Sequence, residues 1–241
     1  MKENKYDDDI FFEKYSTITR SINGLDAAGE WYVFKDLLPN LNNKRVLDLG
    51  CGYGWHCRYA MEKNAKKVVG VDISKKMLQK AISMTNGNNY IKYLQKPIEE
   101  VEFSEKSFDV IISSLALHYI ESYEKIIKNA YKWLDGKGYF IFSIEHPIFT
   151  AYGNQDWIYS REKEVLHWPV DNYFYEGKRN TIFLGENVVK YHRTLTTYLD
   201  ILLKNGFKMV KIIEPKPNEN DMDLKNELRR PMMLLISVIK E

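Results

Sequence analysis

The sequence is poor in cysteine, has no long hydrophobic run and carries almost no excess of charge. Its two cysteines, Cys51 and Cys57, are too few for a disulfide framework and fit reduced thiols in a cytoplasm. The longest apolar stretch, residues 232–239, is too short to cross a membrane, and residues 1–20 lack the apolar centre of a signal peptide. With 35 Lys and Arg against 33 Asp and Glu, the net charge of +2 argues against a nucleic-acid partner. We therefore expect a cytoplasmic protein without membrane or nucleic-acid partners.

What the chain does have is a regular alternation of apolar runs and helical patterns. The apolar runs predict strands at residues 45–49, 67–72, 90–94, 107–114, 138–144, 207–213 and 231–239. Helical spacing lies between most of them and also at residues 9–21 and 26–38, before the first strand. This order predicts an α/β fold with a doubly wound, mostly parallel sheet. The last two strands follow each other without a helix and should pair antiparallel.

A ligand site is expected at the stretch RVLDLGCGYG, residues 45–54. A buried strand stops there at glycines in alternate positions, and helical spacing resumes after them. Dinucleotide sites use G-x-G-x-x-G, whereas Gly50, Gly52 and Gly54 form a G-x-G-x-G pattern. A carboxylate at Asp48 is unfavourable beside a pyrophosphate and suits a cationic ligand.

The second strand ends in Asp72, about 20 residues beyond the glycine turn, the spacing seen in dinucleotide sites. An acid at this place can accept hydrogen bonds from both ribose hydroxyls of an adenosine. Asp72 therefore predicts an adenosine-containing ligand without choosing among such ligands.

Residues 46–54, VLDLGCGYG, closely resemble motif I of the class I S-adenosylmethionine-dependent methyltransferases. Residues 108–111, FDVI, match the F-D-x-[VI] motif of that family. The resemblance spans about residues 41–241 and covers residues 148–190 poorly. It implies a Rossmann-like, seven-stranded sheet in the order 3-2-1-4-5-7-6 with the last strand antiparallel, and S-adenosyl-L-methionine as cofactor.

The resemblance also implies which residues contact the cofactor. Asp48 and the N–H groups of the glycine turn would hold the methionine ammonium and carboxylate, while Ile73 and Met77 would enclose the adenine. Pro97 stands where the family often has an acidic residue, so adenine recognition would fall to the two residues that follow it. The full predicted set is Tyr15, Asp48, Gly50, Cys51, Gly52, Asp72, Ile73, Met77, Ile98, Glu99, Ser114 and Leu115.

Three regions are expected along the chain. Residues 1–40 form helices that cover the cofactor, residues 41–147 and 191–241 form the core, and residues 148–190 form an aromatic-rich lid inserted after the fifth strand. A loop this long inside a compact domain is usually functional. Two alternatives stay open: the lid is a dimer-forming arm, and Tyr15 is a packing residue instead of a cofactor contact.

Methyl transfer is an in-line displacement, so the protein must align the reactants, exclude water and, for many acceptors, provide a base. His146 follows the fifth strand and is the first candidate, with Glu145 orienting it or binding substrate. His118 follows the fourth strand and is the second candidate, while Tyr191 and His192 border the lid. Each histidine is alternatively a packed or solvated side chain.

No metal is expected, because His56, Cys57 and His118 do not have the spacing of zinc ligands. Arg229 and Arg230 precede the last strand and either meet an anionic acceptor or are solvated charges. We expect a methyltransferase, monomeric or homodimeric, that acts on a small-molecule acceptor in an aromatic pocket. The open alternatives are methylation of RNA or protein, which the lack of an N-P-P-Y-type loop disfavours, a non-catalytic S-adenosylmethionine-binding protein, and a nicotinamide oxidoreductase.

Overall fold

The chain alternates strands and helices, and the computed structural model describes residues 4–87, 89–217 and 223–241. The strands are β1 (Arg45–Leu49), β2 (Lys67–Asp72), β3 (Ile91–Gln95), β4 (Phe108–Ser114), β5 (Leu134–Glu145), β6 (Ile158–Tyr159), β7 (Val165–His167), β8 (Gly177–Phe183), β9 (Glu186–His192), β10 (Phe207–Ile213) and β11 (Met233–Lys240). The α-helices are α1 (Asp9–Ser16), α2 (Thr19–Asn23), α3 (Trp31–Leu37), α4 (Trp55–Glu62), α5 (Lys75–Met84), α6 (Tyr123–Trp133), α7 (Pro147–Thr150), α8 (Leu195–Lys204) and α9 (Leu224–Glu227). Short 3-10 turns lie at Lys5–Asp7, Gly24–Ala27, Ile98–Glu100 and Leu117–Tyr119.

Seven of these strands form one sheet in the order β3-β2-β1-β4-β5-β11-β10. Strands β1 to β5 pair in parallel, and β11 is antiparallel to both β5 and β10. The predicted doubly wound fold and its 3-2-1-4-5-7-6 order are therefore confirmed, with β10 and β11 as the sixth and seventh strands. In such a sheet, ligands bind at the carboxyl ends of the parallel strands, where the strand order reverses between β1 and β4.

The sheet has an apolar layer on each face, because successive residues of a buried strand point to opposite sides. On one face, Leu47 and Leu49 belong to a buried cluster that includes Ile126 of α6 and Leu202 of α8. On the other face, Val46 belongs to a cluster with residues from α3, α4 and α5. The sheet is thus held between two helical layers, and its strand ends are left to build a site.

The helices before β1 are shorter than the sequence predicts. The helix expected over residues 9–21 is divided into α1 and α2, because Ile18 is extended with ψ of 150°. The helix expected over residues 26–38 begins at Trp31, after the 3-10 turn at Gly24–Ala27. Among the described residues, no helix has the length and apolarity that crossing a membrane requires.

Residues 148–190, which we call the inserted segment, contain small antiparallel sheets. Strands β6 and β7 pair with each other, and β8 and β9 form a hairpin in which Gly177 faces His192 and Phe183 faces Glu186. Neither pair joins the central sheet. The aromatic-rich segment expected after the fifth strand therefore contains short antiparallel strands outside the central sheet.

Candidate active site

A cavity of about 880 Å³ lies at the carboxyl ends of β1, β2, β4 and β5, which is a volume typical of small-molecule sites. The N-terminal segment and the inserted segment complete its wall. All of the predicted cofactor residues except Asp48 line it. Glu145, His118 and Tyr191 of the predicted catalytic set line it as well, whereas His146 and His192 do not.

The glycine turn between β1 and α4 is fastened to the neighbouring strand. Gly50 has a positive φ of 77°, and a Cβ there would lie 2.3 Å from the Ala116 Cβ. The N–H groups of Gly50 and Cys51 both donate to the carbonyl of Val71, at 2.8 and 2.9 Å. These two groups are therefore not free for a ligand carboxylate, which corrects the expectation that the turn N–H groups hold it.

Asp72 is oriented by backbone donors from two sides. Its Oδ2 accepts from the Gly52 N–H at 2.8 Å and its Oδ1 from the Ser74 N–H at 2.9 Å. Each carboxylate oxygen keeps a lone pair for a ribose hydroxyl. Burial raises the pKa of Asp72 to about 6, although these hydrogen bonds favour the ionised form.

Asp48 lies behind the turn and not on the cavity wall. Its side chain is 1% exposed, and the Cys57 thiol donates to its Oδ2 at 3.3 Å. Its Oδ1 has no hydrogen-bond partner within the described chain. Burial raises the pKa of this carboxyl to about 7. A buried acid with an unpaired oxygen is the kind of group that a bound cation would stabilise.

Apolar and aromatic residues line the cavity on the side of Asp72. Ile73, Met77 and Ile98 line the cavity near Asp72, and a Cβ on Gly52 would lie 3.3 Å from the Met77 Cε. Tyr15 also lines the cavity, and its ring packs edge-on against Tyr6 and Tyr53 at 5.1 and 5.9 Å between centroids. Tyr15 thus combines packing with a place on the cavity wall.

An arginine from the N-terminal segment reaches the end of β4, which the sequence analysis missed. Arg20 Nη1 donates to Glu30 Oε1 at 2.7 Å and Nη2 donates to Ser114 Oγ at 2.8 Å. Burial raises the pKa of Glu30, but Arg20 more than offsets this and the pKa lies below its ordinary value. Arg20 and Ser114 both line the cavity, where they supply positive charge and a hydroxyl.

Two further polar atoms on the wall are buried without a partner. Trp55 Nε1 and the Tyr53 hydroxyl make no hydrogen bond in the described part of the chain, and both residues line the cavity. Buried donors are normally satisfied, so such atoms indicate where a ligand binds. Together with Arg20, they are suited to a carboxylate.

The second polar end of the cavity is a network around Glu145, at the end of β5. Lys190 Nζ donates to Glu145 Oε1 at 2.5 Å and to Gln155 Oε1 at 2.8 Å, and Gln155 Nε2 donates to Glu145 Oε2 at 2.6 Å. Burial raises the pKa of Glu145, but His118, Lys190 and Gln155 more than offset this and the pKa lies below its ordinary value. No sequence motif identifies Lys190 or Gln155 as a residue of the site.

The five predicted catalytic side chains are not brought together. His118 lines the cavity beside Glu145, and burial lowers its pKa to about 4. His146 instead accepts from the Ile148 N–H at 3.0 Å and lies 2.9 Å from Glu214 Oε1. His192 bonds Thr150 Oγ1 at 2.7 Å and the Tyr173 carbonyl at 2.9 Å. Both rings therefore interact with other parts of the chain and lie outside the cavity wall.

Arg230 does not face the cavity either. Its guanidinium lies 4.9, 5.3 and 4.4 Å from the ring centroids of Phe149, Trp157 and Trp168, and it donates to both oxygens of Glu227. This cation–π arrangement attaches the chain before β11 to the inserted segment. The alternative that Arg230 meets an anionic acceptor has no support in this position.

Comparison with known proteins agrees with the site. Residues 47–142 match the family described as Methyltransferase domain. A candidate S-adenosylmethionine dependent methyltransferase from Listeria monocytogenes is 52% identical, with a TM-score of 0.84 over 89% of this chain and 99% of that one. An S-adenosylmethionine dependent methyltransferase from Mesorhizobium loti is 38% identical, with a TM-score of 0.83 over 90% and 100%. An uncharacterized protein from Haemophilus influenzae is 34% identical over 99% of this chain and 98% of its own length.

Relatives with named acceptors match only parts of the chain. Phosphoethanolamine N-methyltransferase from Plasmodium falciparum is 33% identical over 57% of this chain and 53% of its own. Protein arginine N-methyltransferase 1 from Dictyostelium discoideum is 31% identical over 66% and 49%. These relatives cover 57% and 66% of this chain and have different acceptors, which leaves the acceptor open. The chain belongs to the class I S-adenosylmethionine-dependent methyltransferases, and its cofactor is S-adenosyl-L-methionine.

Proposed function

We propose that this methyltransferase acts on a small-molecule acceptor, which binds between the ends of β4 and β5 and the inserted segment. The observation that carries the proposal is that one cavity joins the adenosine end at Asp72 to a second polar end at Glu145 and Lys190. The Lys190 side chain is only 4% exposed, so an acceptor must enter the cavity to reach it. Such depth suits a small molecule better than a macromolecular surface.

The proposed cofactor contacts follow the cavity wall. Asp72 accepts from the ribose hydroxyls, and Ile73, Met77 and Ile98 enclose the adenine, with Glu99 at its edge. The turn of Gly50, Cys51 and Gly52 lies beneath the methionine part, beside Ser114, Leu115 and Tyr15. We assign the carboxylate to Arg20 and Trp55, and the attraction of the ammonium to the charge of Asp48 behind the turn.

The chemistry needs little from the protein beyond alignment and exclusion of water. The bound cofactor supplies a methyl group already activated by its sulfonium. The protein places the acceptor in line with that group and keeps water out. We propose that the N-terminal helices cover the cofactor and that the inserted segment is a lid over the acceptor, so that together they exclude water. Of the five predicted catalytic residues, we propose that His118, Glu145 and Tyr191 contact the acceptor. We no longer propose this role for His146 and His192.

Methylation of a protein or RNA is the second candidate, and the partial likeness to the arginine methyltransferase favours a protein. We also propose that the protein is cytoplasmic, because its two cysteines, Cys51 and Cys57, are free thiols. We propose that it is a monomer or a homodimer.

The experiment has two parts. Calorimetry should show that the protein binds S-adenosylhomocysteine and does not bind NAD. The substitution Asp72→Ala should abolish the binding of S-adenosylhomocysteine. Release of S-adenosylhomocysteine is then followed with a metabolite mixture, with total cell protein and with total RNA as acceptors in turn. Turnover confined to protein or RNA contradicts the small-molecule proposal, and binding without any turnover contradicts both candidates.

A further inference from the structure

The strand order fixes which end of the cavity receives the acceptor. Asp72 ends β2 and Glu145 ends β5, and β1 and β4 lie between them. Three strand spacings of about 4.8 Å separate the two carboxylates along the sheet edge by about 14 Å. With the adenosine at Asp72, the β5 end lies beyond the methionine part of the cofactor. This step rests on the proposed function.

At the β5 end of the cavity, Lys190 has one remaining N–H donor. An ammonium has three N–H donors, of which two go to Glu145 and Gln155. Within the described residues, Nζ has no further oxygen or nitrogen acceptor, and its other neighbours are the rings of Tyr119 and Phe183, at 5.8 and 5.4 Å from their centroids. Because Lys190 lines the cavity, the third donor is available to a ligand.

His118 presents a second donor. Its Nδ1 accepts from the Glu145 N–H at 3.4 Å, so in the neutral ring the proton is on Nε2. A neutral imidazole with this tautomer donates through Nε2 and has no free accepting nitrogen. His118 therefore differs from the general base that the sequence analysis expected.

The buried groups at this end are poor proton acceptors. A useful base has a pKa near the working pH, whereas the pKa of His118 is lowered by burial to about 4. Both oxygens of Glu145 already accept hydrogen bonds, from Lys190 and Gln155. An acceptor that arrives already deprotonated needs neither group as a base.

The inserted segment adds positive charge and apolar surface to the same wall. Among its described lining residues are Lys178 and Lys190 and no acidic side chain. The others include Phe149, Ile182 and Phe183. Lys190 balances the charge of Glu145, so the surplus positive charge that the inserted segment adds to this wall is that of Lys178. A molecule with an anionic head and an apolar body is complementary to it.

We propose that the acceptor is a carboxylic acid with an apolar body, whose carboxylate is held by Lys190 and His118 and is methylated on oxygen to a methyl ester. A lone pair of one carboxylate oxygen forms the O–CH3 bond. The C–S bond of the cofactor breaks, and its electron pair stays on sulfur, which becomes a neutral thioether. No proton is transferred, so the step is complete without a base.

The product type can be tested without knowing the acceptor. The enzyme is incubated with S-adenosylmethionine carrying a radioactive methyl group and a protein-free bacterial metabolite extract, and the products are treated with mild alkali. A methyl ester releases its label as volatile methanol, whereas methyl groups on amine, phenol ether, carbon or sulfur stay attached. We expect alkali-labile label. Alkali-stable label overturns this inference but leaves the proposed function intact, and no transfer at all overturns both.

Defined probes test the two donors. Decanoate and phenylacetate should bind to the enzyme saturated with S-adenosylhomocysteine, and decylamine and phenethylamine should bind at least tenfold more weakly. The double variant Lys190→Met/Glu145→Gln removes the pair without leaving a lone buried charge and should weaken carboxylate binding roughly 10- to 100-fold. Its affinity for S-adenosylhomocysteine should not change.

Lys190→Arg keeps the charge and should retain most of the carboxylate affinity, which a purely structural role for Lys190 does not require. Lys208→Met/Glu241→Gln removes an exposed ion pair and is the control for loss of one charge of each sign. Preferred binding of the amines, or equal carboxylate affinity in the parent and the double variant, would contradict the inference.

Discussion

The Oδ1 atom of Asp7 accepts a hydrogen bond from the Ser74 hydroxyl at 2.6 Å, although 67 residues separate them in the chain. The same carboxylate accepts from the N–H groups of Lys75 and Lys76, at 3.2 and 3.0 Å. Asp7 therefore caps the first turn of α5 from a distant segment and complements its dipole. Because Ser74 also orients Asp72 through its N–H, the N-terminal segment is attached to the end of the cavity at Asp72.

Asp7→Ala should consequently weaken both folding and cofactor binding. Loss of a capping carboxylate is expected to reduce the free energy of unfolding by about 1 kcal/mol. The affinity for S-adenosylhomocysteine should fall several-fold, because the loop that carries Asp72 loses its external support. Chemical denaturation and calorimetry measure the two effects.

Asp9→Ala is the matched control for this change. Asp9 pairs with Lys76 at the same helix start, but its side chain is 98% exposed. A pair so exposed contributes little to stability, so this variant should resemble the parent in both measurements. Equal effects of the two substitutions would show that Asp7 acts only through surface charge.

Cofactor affinity should depend on the protonation of Asp72. Ribose hydroxyls donate stronger hydrogen bonds to an ionised carboxylate than to a protonated carboxyl group. In the free protein, burial raises the pKa of Asp72 to about 6. Binding of S-adenosylhomocysteine should therefore weaken as the pH falls through 6. In an Asp48→Asn background, which removes the titration near pH 7, the affinity should be nearly constant between pH 7 and 8. Asp72→Asn should bind roughly 10- to 100-fold more weakly at pH 7.5 and should lose this dependence.

The exposed Asp36→Asn is the control for removal of one carboxylate and should keep the parent's pH profile. A profile near pH 6 that survives in Asp72→Asn would assign the titration to another group.

Asp48 should make the cofactor-free protein less stable at high pH. Its pKa is about 7 in the folded protein against 3.8 as the ordinary value, so the folded state holds the proton more tightly. The stability that it contributes is fully present below pH 4 and is lost as the pH rises to 7. The loss is on the order of 4 kcal/mol.

Asp48→Asn removes that titration, so its melting temperature should exceed the parent's above pH 7 and the difference should shrink toward pH 4. Cofactor binding should change in the opposite direction, since the ammonium loses a nearby negative charge. Melting curves at several pH values with and without S-adenosylhomocysteine separate the two effects. A difference that is constant with pH would contradict the raised pKa.

The histidines should divide into one group that affects turnover and one that affects stability. His118→Ala removes a donor from the cavity wall and is expected to raise the acceptor KM or lower kcat by at least tenfold. His146→Ala and His192→Ala remove buried, hydrogen-bonded rings outside the cavity and should reduce the free energy of unfolding by about 1–3 kcal/mol. Their kcat should stay within a few-fold of the parent below the melting temperature, and a large loss for His146→Ala would restore it as a catalytic candidate.

The sheet and the residues that line the cavity near Asp72 could be predicted because their signals are local. The strand at residues 45–49, the glycines after it and Asp72 each have a meaning that depends on a few neighbouring residues. Their order along the chain then sets the order of the strands.

The proposed acceptor end of the cavity could not be predicted in the same way, because its residues meet through long-range packing. Lys190 reaches Glu145 across 45 residues, and Arg20 reaches Ser114 across 94. One signal was nevertheless present: Val188, Lys190 and His192 alternate along β9 and form its buried face, where a lysine is rarely found. The placement of His146 failed for a related reason. A strand end predicts that a residue is near the cavity but not which way its ring points.

Gly50 should be intolerant of any side chain for two separable reasons. A Cβ there would lie 2.3 Å from the Ala116 Cβ, and the residue also has a φ of 77°. Gly87 has a similar φ of 74°, with nothing within 4 Å of its Cβ position, so Gly87→Ala measures the conformational cost alone. We expect about 1–2 kcal/mol for Gly87→Ala and a clearly larger loss for Gly50→Ala, by chemical denaturation.

The double variant Gly50→Ala/Ala116→Gly then tests the contact itself. Removing the Ala116 methyl relieves the collision but leaves the positive φ, so stability should recover to about the loss seen for Gly87→Ala. The two substitutions should therefore be non-additive by about 1–3 kcal/mol, as expected for residues in direct contact. Because the Ala116 methyl packs against the turn that carries the cofactor, the double variant should recover stability more fully than affinity for S-adenosylhomocysteine. Simple additivity would mean that the turn can move away from β4, and that its position above β1 is set by the bonds to Val71 alone.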